Sequence, residues 1–373
     1  MAKLGAEMTV LVPQVWAPPF MKHFKKWRPY TQKRQPCHFE GLKAIAVNYL
    51  RITGNWWYRW DGLSVYLALR KRALELHRSE SFDIVFSACL FPDGDAAVRL
   101  GRYLELPSAC MAIGTDVTLI PDYTRSLQKH FSHVTNSLTG TLAHGHSIAK
   151  KIEDTCGKRT PVVHGSVDLE CFSPAIDKTQ LRKELDIKKG SIALIYAGYL
   201  TKNKGIYEMV EAVSCVHKIC LSISLNICGA GIEEAGIRQL IARKNAGDYI
   251  RLVGNVDPDK MHKWMKASDL FVLATYYEGM PNVVMEAMAC GLPVVSTMVG
   301  GLPAAVGDCD GAILIEPKNI DALTEAIMRV VQDKKLRDHM GKEARKKAEE
   351  KFGVMRNARV ILEHLESIVK QNQ

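Results

Sequence analysis

The stretch 270-LFVLATYYEGMPNVVMEAMACGLPVVST-297 decides the fold, because it places a helix-like segment between two short apolar runs. Pro281 suits the first turn of a helix, where its missing N–H is not needed, and Gly291 suits the position just past the helix end. Strands joined by such a helical connection run parallel. The stretch therefore predicts a strand over 270–275, a helix over 281–290 and a strand over 293–297.

The same alternation of apolar runs and helical patterns extends along the chain from about residue 80. Most runs are continuously apolar, which is typical of strands buried on both faces of a parallel sheet. Further strands are predicted over 83–88, 108–113, 140–144, 161–165, 192–198, 222–229 and 250–254. Helices are predicted over 93–106, 203–218 and 258–268, and from 334 to 370. The predicted fold class is α/β with parallel sheets.

The length of 373 residues favours two domains over one. A polar segment over 167–191, which carries Pro174, interrupts the alternation, and a new βα series begins at Ile192. The predicted boundaries are a first domain over 1–172, a linker over 173–190, a second domain over 191–352 and a C-terminal helix over 353–373.

The ten cysteines include no CxxC pair, and most lie in apolar runs, where a free cysteine behaves as a small hydrophobic residue. Reduced thiols and a cytoplasmic location are therefore expected, and no metal site is expected. The first apolar run is too short for a signal peptide. No run approaches the roughly 20 residues that cross a bilayer.

The formal net charge of +10 predicts an anionic partner: nucleic acid, a phosphorylated substrate or an acidic membrane surface. The segments 22-KHFKKWRPY-30, 54-GNWWYRW-60 and 70-RKRALELHR-78 combine cations with aromatic residues. They indicate peripheral contact with the inner face of an anionic membrane. The alternative is a solvated basic helix with a few tryptophans in the core. Nucleic-acid binding is not expected, because no recognised module is present.

Two glutamates flank the start of the helix predicted over 281–290. That helix begins at the carboxyl edge of a parallel sheet, where α/β proteins bind ligands, and the N–H groups of Asn282 and Val283 suit a phosphate. Glu278 precedes the helix and Glu286 lies inside it. Carboxylates beside a phosphate site suit hydroxyl donors such as those of ribose or hexose. The alternative is that Glu278 complements the helix dipole and Glu286 is a surface residue.

A second loop with ligand-binding character follows the strand predicted over 192–198. The loop 198-GYLTKNKG-205 places Lys202 and Lys204 before the next helix, where a lysine is able to neutralise a diphosphate. The alternative is a solvated loop lysine. The turn 229-GAG-231 does not complete the GxGxxG fingerprint of a Rossmann dehydrogenase.

These motifs together resemble the GT4 family of retaining glycosyltransferases, which have the GT-B architecture of two facing Rossmann-like domains. The E-x7-E signature is Glu278 to Glu286, followed by GGLPAAV, and the G-x-L-x-x-x-K-G element is GYLTKNKG. The segment 166-SVDLECFSP-174 is similar to the family's GVDxxxFxP. The segment 83–117 is similar to members that build capsular, teichuronic or exopolysaccharides. The resemblance covers nearly the whole chain and implies a C-terminal helix that crosses back to the first domain.

The resemblance implies metal-independent transfer of a sugar, with retained anomeric configuration, from a UDP- or GDP-sugar to a glycan or lipid-linked acceptor. No cofactor is implied beyond this nucleotide-sugar co-substrate. Glu286 would bind the ribose, Glu278 the transferred sugar and Lys204 the diphosphate. The remaining donor-side positions implied are Gly198, Tyr199, Asn255 and Val256, and Gly279, Met280, Pro281, Asn282 and Val283. In the first domain, Asp116 would be catalytic, and Gly114 and Thr115 would lie on the acceptor side.

The chain departs from the family pattern at three places. Tyr199 stands where the family usually has arginine, so one cation for the leaving phosphate is absent. Ile113 stands where a histidine is common in the family. The opening 2-AKLGAEMTVLVP-13 is similar to the end of the family's first helix, as though the first strand and its glycine-rich loop were missing.

Two other functions stay open on the sequence. Tyr199, Ile113 and the short opening favour a catalytically impaired GT-B protein that binds a nucleotide or a partner without efficient transfer. A sugar-nucleotide epimerase of the same architecture is a weaker alternative, because its histidine and acid signatures are not evident.

Overall fold

The structure is a computed structural model that describes residues 1–23, 31, 42–51, 60–118, 124–278, 281–307 and 309–373. The chain divides into two compact units. Unit 1 comprises Met1–Val163 and Ala358–Gln373, and unit 2 comprises His164–Asn357.

Unit 2 is built on a sheet of parallel strands. The strands in its described residues are β6 Ile192–Ala197, β7 Ile223–Cys228, β8 Ile250–Gly254, β9 Leu270–Leu273, β10 Val294–Thr297 and β11 Ala312–Ile315. Their order across the sheet is β11-β10-β9-β6-β7-β8. Residues in β6, β9 and β10 are almost wholly buried, as the continuous apolar runs predict.

Helices connect these strands. They are α6 Thr179–Glu184, α7 Ile206–Ile219, α8 Glu234–Arg243, α9 Pro258–Ala267, α10 Asn282–Ala289, α11 Leu302–Val306, α12 Ile320–Gln332 and α13 Lys334–Lys351. One apolar core joins the sheet to α7, α10 and α12, with Tyr196 and Phe271 among its fully buried side chains. The carboxyl ends of all six strands meet at one edge, because the sheet is parallel.

Unit 1 contains two smaller parallel sheets in its described residues. In the first, β1 Thr9–Trp16 pairs with β2 Lys43–Leu50. In the second, the order is β3 Val85–Ser87, β4 Ser108–Ala112 and β5 Gly140–Ala143.

The helices of unit 1 pack beside these sheets. They are α1 Asp61–Glu80, α2 Asp95–Leu104, α3 Thr115–Thr118, α4 Arg125–Ser137 and α5 His146–Cys156. The last helix, α14 Val354–Asn372, places Leu365 and Ile368 against Ala109 of β4. The expectation that the C-terminal helix returns to the first domain is therefore confirmed, because Ala358–Gln373 packs within unit 1.

The predicted α/β class with parallel sheets is confirmed, with corrections to single elements. The segment 161–165 is not a strand, since only Val162 makes an isolated bridge, to Ala143. Strands β1, β2 and β11 were not predicted. The helix predicted over 281–290 is α10, but Pro281 is its extended N-cap residue and not part of its first turn. Gly291 has a φ of +70° after the helix, as predicted.

Two of the basic-aromatic segments lie mostly outside the described residues, at positions 24–30 and 52–59. The third, over 70–78, is part of α1. In the described parts of the chain, none of the helices combines the length and the apolarity that crossing a lipid bilayer requires.

Candidate active site

Two loops at the carboxyl edge of the unit 2 sheet are tied together by their main chains. The Tyr276 N–H donates to the Asn203 carbonyl at 2.8 Å, and the Thr275 hydroxyl donates to the same carbonyl at 3.2 Å. Gly205 follows with a φ of +62°, and a Cβ atom there would lie 1.8 Å from the Ala274 carbonyl oxygen. Only glycine permits this approach, so the loop after β6 is held against the end of β9.

This contact brings Lys204 and Glu278 together. The Lys204 ammonium donates to the Glu278 carboxylate, and the pair is largely enclosed, with side-chain exposures of 20% and 18%. Both residues were predicted to bind parts of one donor substrate. A cation and a carboxylate therefore share one position at the sheet edge.

Glu278 is also fixed through its main chain. The Gly301 N–H donates to the Glu278 carbonyl at 3.1 Å. Gly300 has a φ of +55°, and a Cβ atom there would lie 1.7 Å from the same carbonyl oxygen. The glycine pair after β10 therefore packs directly on the segment that carries Glu278.

Helix α10 begins just beyond Glu278. The N–H groups of Val284 and Met285 donate to the Pro281 carbonyl, so those of Asn282 and Val283 precede the first intrahelical bonds. Asn282 is exposed and Val283 is half-buried. The helix start therefore has the N–H groups and the positive dipole end that favour an anion. The predicted donor residues Gly279 and Met280 lie outside the described residues.

Glu286 lies in the middle of α10. Its side chain is half-buried, and burial raises the pKa of its carboxyl group. The surroundings of Glu286 therefore disfavour its ionised form.

Tyr199 and Gly198 follow β6 at the same edge. The Gly198 N–H donates to the Cys228 carbonyl at 3.0 Å, and the Tyr196 hydroxyl donates to the Tyr199 carbonyl at 2.9 Å. The Tyr199 ring itself is 77% exposed.

The predicted donor-side residues Asn255 and Val256 follow β8. The Gly254 carbonyl accepts from the Gly229 N–H at 2.7 Å, which ties this loop to the loop after β7. Asn255 is exposed, and Val256 packs partly against the core. The described donor-side residues therefore follow strands β6, β8 and β9 at one sheet edge.

The residues of unit 2 are similar to a known family of enzymes. Residues 177–347 match the family described as glycosyl transferases group 1. A Bacillus subtilis (strain 168) protein named as a teichuronic acid biosynthesis glycosyltransferase, TuaC, is 26% identical over 372 residues. The match covers 99% of this chain and 92% of that protein.

The protein is a glycosyltransferase. The group 1 domain over 177–347 is of the GT4 type, as the E-x7-E and G-x-L-x-x-x-K-G elements predict. The activity of the protein is the transfer of a glycosyl group.

Solved structures confirm the GT-B fold of the glycosyltransferase. Sucrose-phosphate synthase from Thermosynechococcus elongatus matches with a TM-score of 0.76 at 16% identity, over 99% of this chain and 91% of that one. Anabaena HepE in complex with UDP matches with a TM-score of 0.75 at 16% identity, over 96% and 100%. HepE in complex with UDP-glucose matches with a TM-score of 0.69 at 17% identity, over 97% and 100%.

In unit 1 of the glycosyltransferase, Asp116 joins two loops. It is only 6% exposed, and its carboxylate accepts from the Leu90 N–H at 2.6 Å and from the Gly114 N–H at 3.1 Å. Gly114 is half-buried, and the Thr115 side chain lies outside the description. In this arrangement the Asp116 carboxylate accepts hydrogen bonds from the protein's own main chain.

Asp93, on the loop after β3, was not predicted as a site residue. Burial raises the pKa of the Asp93 carboxyl group, and the nearby Asp116 carboxylate raises it further. Its sequence neighbourhood, LFPDGD, carries no spacing signal that distinguishes it from a turn residue.

Sequence reasoning also missed the residues that position the donor-side groups. The Arg345 guanidinium of α13 donates to the Ala289 carbonyl at 2.6 Å and to the Phe172 carbonyl at 2.9 Å. It therefore holds the end of α10, the helix that carries Glu286. Arg345 lies in the sign-alternating run 342-KEARKKAEEK-351, where the sequence does not distinguish it from solvated neighbours.

Proposed function

We propose that the glycosyltransferase moves a sugar from a UDP- or GDP-sugar to a glycan or lipid-linked acceptor, with retention and without a metal ion. The enclosed Lys204–Glu278 pair beside the start of α10 carries the proposal. It places a cation, a carboxylate and the main-chain N–H groups of a helix start at one sheet edge.

The phosphates are assigned to the positive groups. Lys204 supplies a full charge, and the N–H groups at the start of α10 supply fixed donors and the positive end of the helix dipole. When the bond to the sugar breaks, negative charge develops on the diphosphate, and these groups stabilise it without reorganising. The assignment requires the ammonium of Lys204 to turn from Glu278 toward the phosphate.

The sugar hydroxyls are assigned to the carboxylates. Glu278, released from Lys204, accepts hydrogen bonds from the transferred sugar. Glu286 accepts hydrogen bonds from the ribose hydroxyls. These bonds stabilise the ionised carboxylate and so offset the cost of its burial, which raises its pKa. The bond from the anomeric carbon to the diphosphate breaks, and the acceptor oxygen bonds to that carbon from the same face, which gives retention. The proton of the acceptor hydroxyl passes to the departing diphosphate.

The comparisons support the substrate classes. HepE, whose fold this chain shares, was solved with UDP and with UDP-glucose, which favours a UDP-sugar donor. TuaC is named for teichuronic acid biosynthesis, which favours a polysaccharide or its lipid-linked precursor as acceptor.

We also propose that the protein is cytoplasmic and peripheral on the inner face of an anionic membrane.

The test measures donor binding and donor cleavage. Calorimetry with UDP, GDP and ADP should show one preferred nucleotide. The protein should then slowly cleave the glucose or mannose derivative of that nucleotide, and the rate of nucleotide release should be the same with and without EDTA. Glu286→Gln should weaken nucleotide binding, Glu278→Gln should mainly slow cleavage, and the exposed Glu325→Gln should change neither. Loss of cleavage on adding EDTA would exclude the metal-independent mechanism. Tight nucleotide binding without cleavage or transfer would favour the catalytically impaired alternative.

A further inference from the structure

Tyr199 presents an exposed aromatic ring on a rigid main chain. The Leu200 N–H donates to the Ala230 carbonyl at 3.0 Å, and the Tyr196 hydroxyl holds the Tyr199 carbonyl. A Cβ atom on Gly229 would lie 1.9 Å from the Gly198 carbonyl oxygen, so the two loops are in close contact. Tyr196 is fully buried and gives its hydroxyl to this one contact. The ring therefore projects from a fixed point.

Tyr199 follows β6, which lies between β9 and β7 in the sheet. The segments after those two strands also carry exposed apolar residues, since Tyr277 follows β9 and is 51% exposed, and Ile232 follows β7 and is 86% exposed. An exposed aromatic ring at this edge offers a flat surface to a ligand with an apolar face.

Tyr199 is also linked to the Lys204–Glu278 pair. Tyr199 lies on the loop 198–205 that also carries Lys204, whose ammonium donates to the Glu278 carboxylate. Burial raises the pKa of the Tyr196 hydroxyl, and the charge of Glu278 raises it further. The same hydroxyl donates to the Tyr199 carbonyl. Tyr199 and Glu278 therefore lie on two segments that the Lys204–Glu278 ion pair joins at one sheet edge.

We propose that the Tyr199 ring is a platform on which the transferred sugar of the donor stacks. The inference rests on the proposed function, in which Glu278 binds the hydroxyls of that sugar. A pyranose has polar edges and an apolar C–H face, so Glu278 takes an edge and the ring takes the face. A neutral tyrosine supplies no charge to the diphosphate, so the proposal assigns the ring to the apolar face of the sugar.

The test compares two ligands that differ only in the sugar, UDP and UDP-glucose, or GDP and GDP-mannose if the guanine nucleotide is the one that binds. Tyr199→Ala should weaken the nucleotide sugar about three- to tenfold, the effect of one aromatic contact, and leave the nucleotide unchanged. Tyr199→Phe should match wild type for both ligands, because it keeps the ring. Leu221→Ala, an exposed apolar residue just before the amino end of β7 and so at the opposite edge of the sheet, is the control and should change neither.

Each contrary outcome overturns the proposal in its own way. Equal weakening of both ligands by Tyr199→Ala would place the ring against the nucleotide. No change with either ligand would leave the ring without a donor role and would assign it to the acceptor if transfer alone falls. A Phe variant as weak as the Ala variant would assign the effect to the hydroxyl, and an equal effect of Leu221→Ala would make it a general surface effect. A wild-type protein that binds neither nucleotide nor nucleotide sugar would instead refute the proposed function itself.

Discussion

Lys204 and Glu278 lie 74 residues apart in sequence and form an enclosed ion pair at the carboxyl edge of the unit 2 sheet. Each side chain neutralises the other, so neither charge is left uncompensated in a position with little access to water. A donor diphosphate and its sugar would replace this pairing with one partner for each charge.

Lys204→Ala should reduce donor cleavage by about 10²- to 10³-fold, the usual effect of removing one group that stabilises transition-state charge. It should also lower the free energy of unfolding by about 1–3 kcal/mol, because Glu278 loses its charged partner. Lys202→Ala is the matched control, since Lys202 is an exposed cation on the same loop. Nucleotide release and urea unfolding measure the two effects. Equal losses in the Lys202 and Lys204 variants would show that only the general charge of the loop matters.

Gly205→Ala should destabilise unit 2 and displace Lys204. Its φ of +62° is unfavourable for alanine by about 1–2 kcal/mol, and the added Cβ would meet the Ala274 carbonyl oxygen at 1.8 Å. Gly247→Ala is the control, because a Cβ there meets nothing within 4 Å and its φ is not in the left-handed region. Thermal unfolding of both variants measures the difference. A Gly205 variant as stable and active as the Gly247 variant would contradict the close contact between the two loops.

The stretch over 270–297 was predictable because its signals are local. Continuous apolar runs mark β9 and β10, and Gly291 marks the end of α10. Strand pairing is not local. The segment 161–165 is as apolar as a strand and makes only one bridge, whereas β11 is a four-residue, half-buried edge strand with one neighbour.

Part of the candidate site was predictable from local signals and part was not. Residue type and spacing identified Glu278, Glu286 and Lys204 in the sequence, but the pairing of Lys204 with Glu278 depends on which strands are neighbours. The contacts that hold these residues in place were not predictable from the sequence, because they join groups from different elements, such as the Arg345 guanidinium and the Ala289 carbonyl. The hydrogen bond of the Tyr196 hydroxyl was not predictable either, since a tyrosine in an apolar run does not differ in sequence from other core residues.

Asp116→Ala should lower the free energy of unfolding by about 2–4 kcal/mol, because the N–H groups of Leu90 and Gly114 lose a charged acceptor in a buried position. Asp116→Asn should lower it less, because the amide keeps one acceptor oxygen. Asp83→Ala, an exposed acid of the same unit, should have little effect. Urea unfolding and donor cleavage should be measured together. A loss of cleavage in the Ala variant at unchanged stability would show a direct catalytic role in place of this structural one.

Glu286→Gln should make the folded protein more stable near neutral pH while weakening nucleotide binding. Burial raises the pKa of Glu286, so its ionisation costs free energy in the folded state at any pH above the unfolded value of about 4.3. The stability gain of the amide should therefore be fully present above the folded pKa, shrink as pH falls through it and vanish below about 4.3. The nucleotide should bind about tenfold more weakly, because the ribose hydroxyls exchange a charged acceptor for a neutral one.

Urea unfolding at several pH values measures the effect of Glu286→Gln on stability, and calorimetry with UDP measures its effect on binding. Glu325→Gln, on an exposed face of α12, should show neither effect. A stability gain that is independent of pH would show that the burial of charge is not its cause, and unchanged nucleotide affinity would remove Glu286 from the donor site.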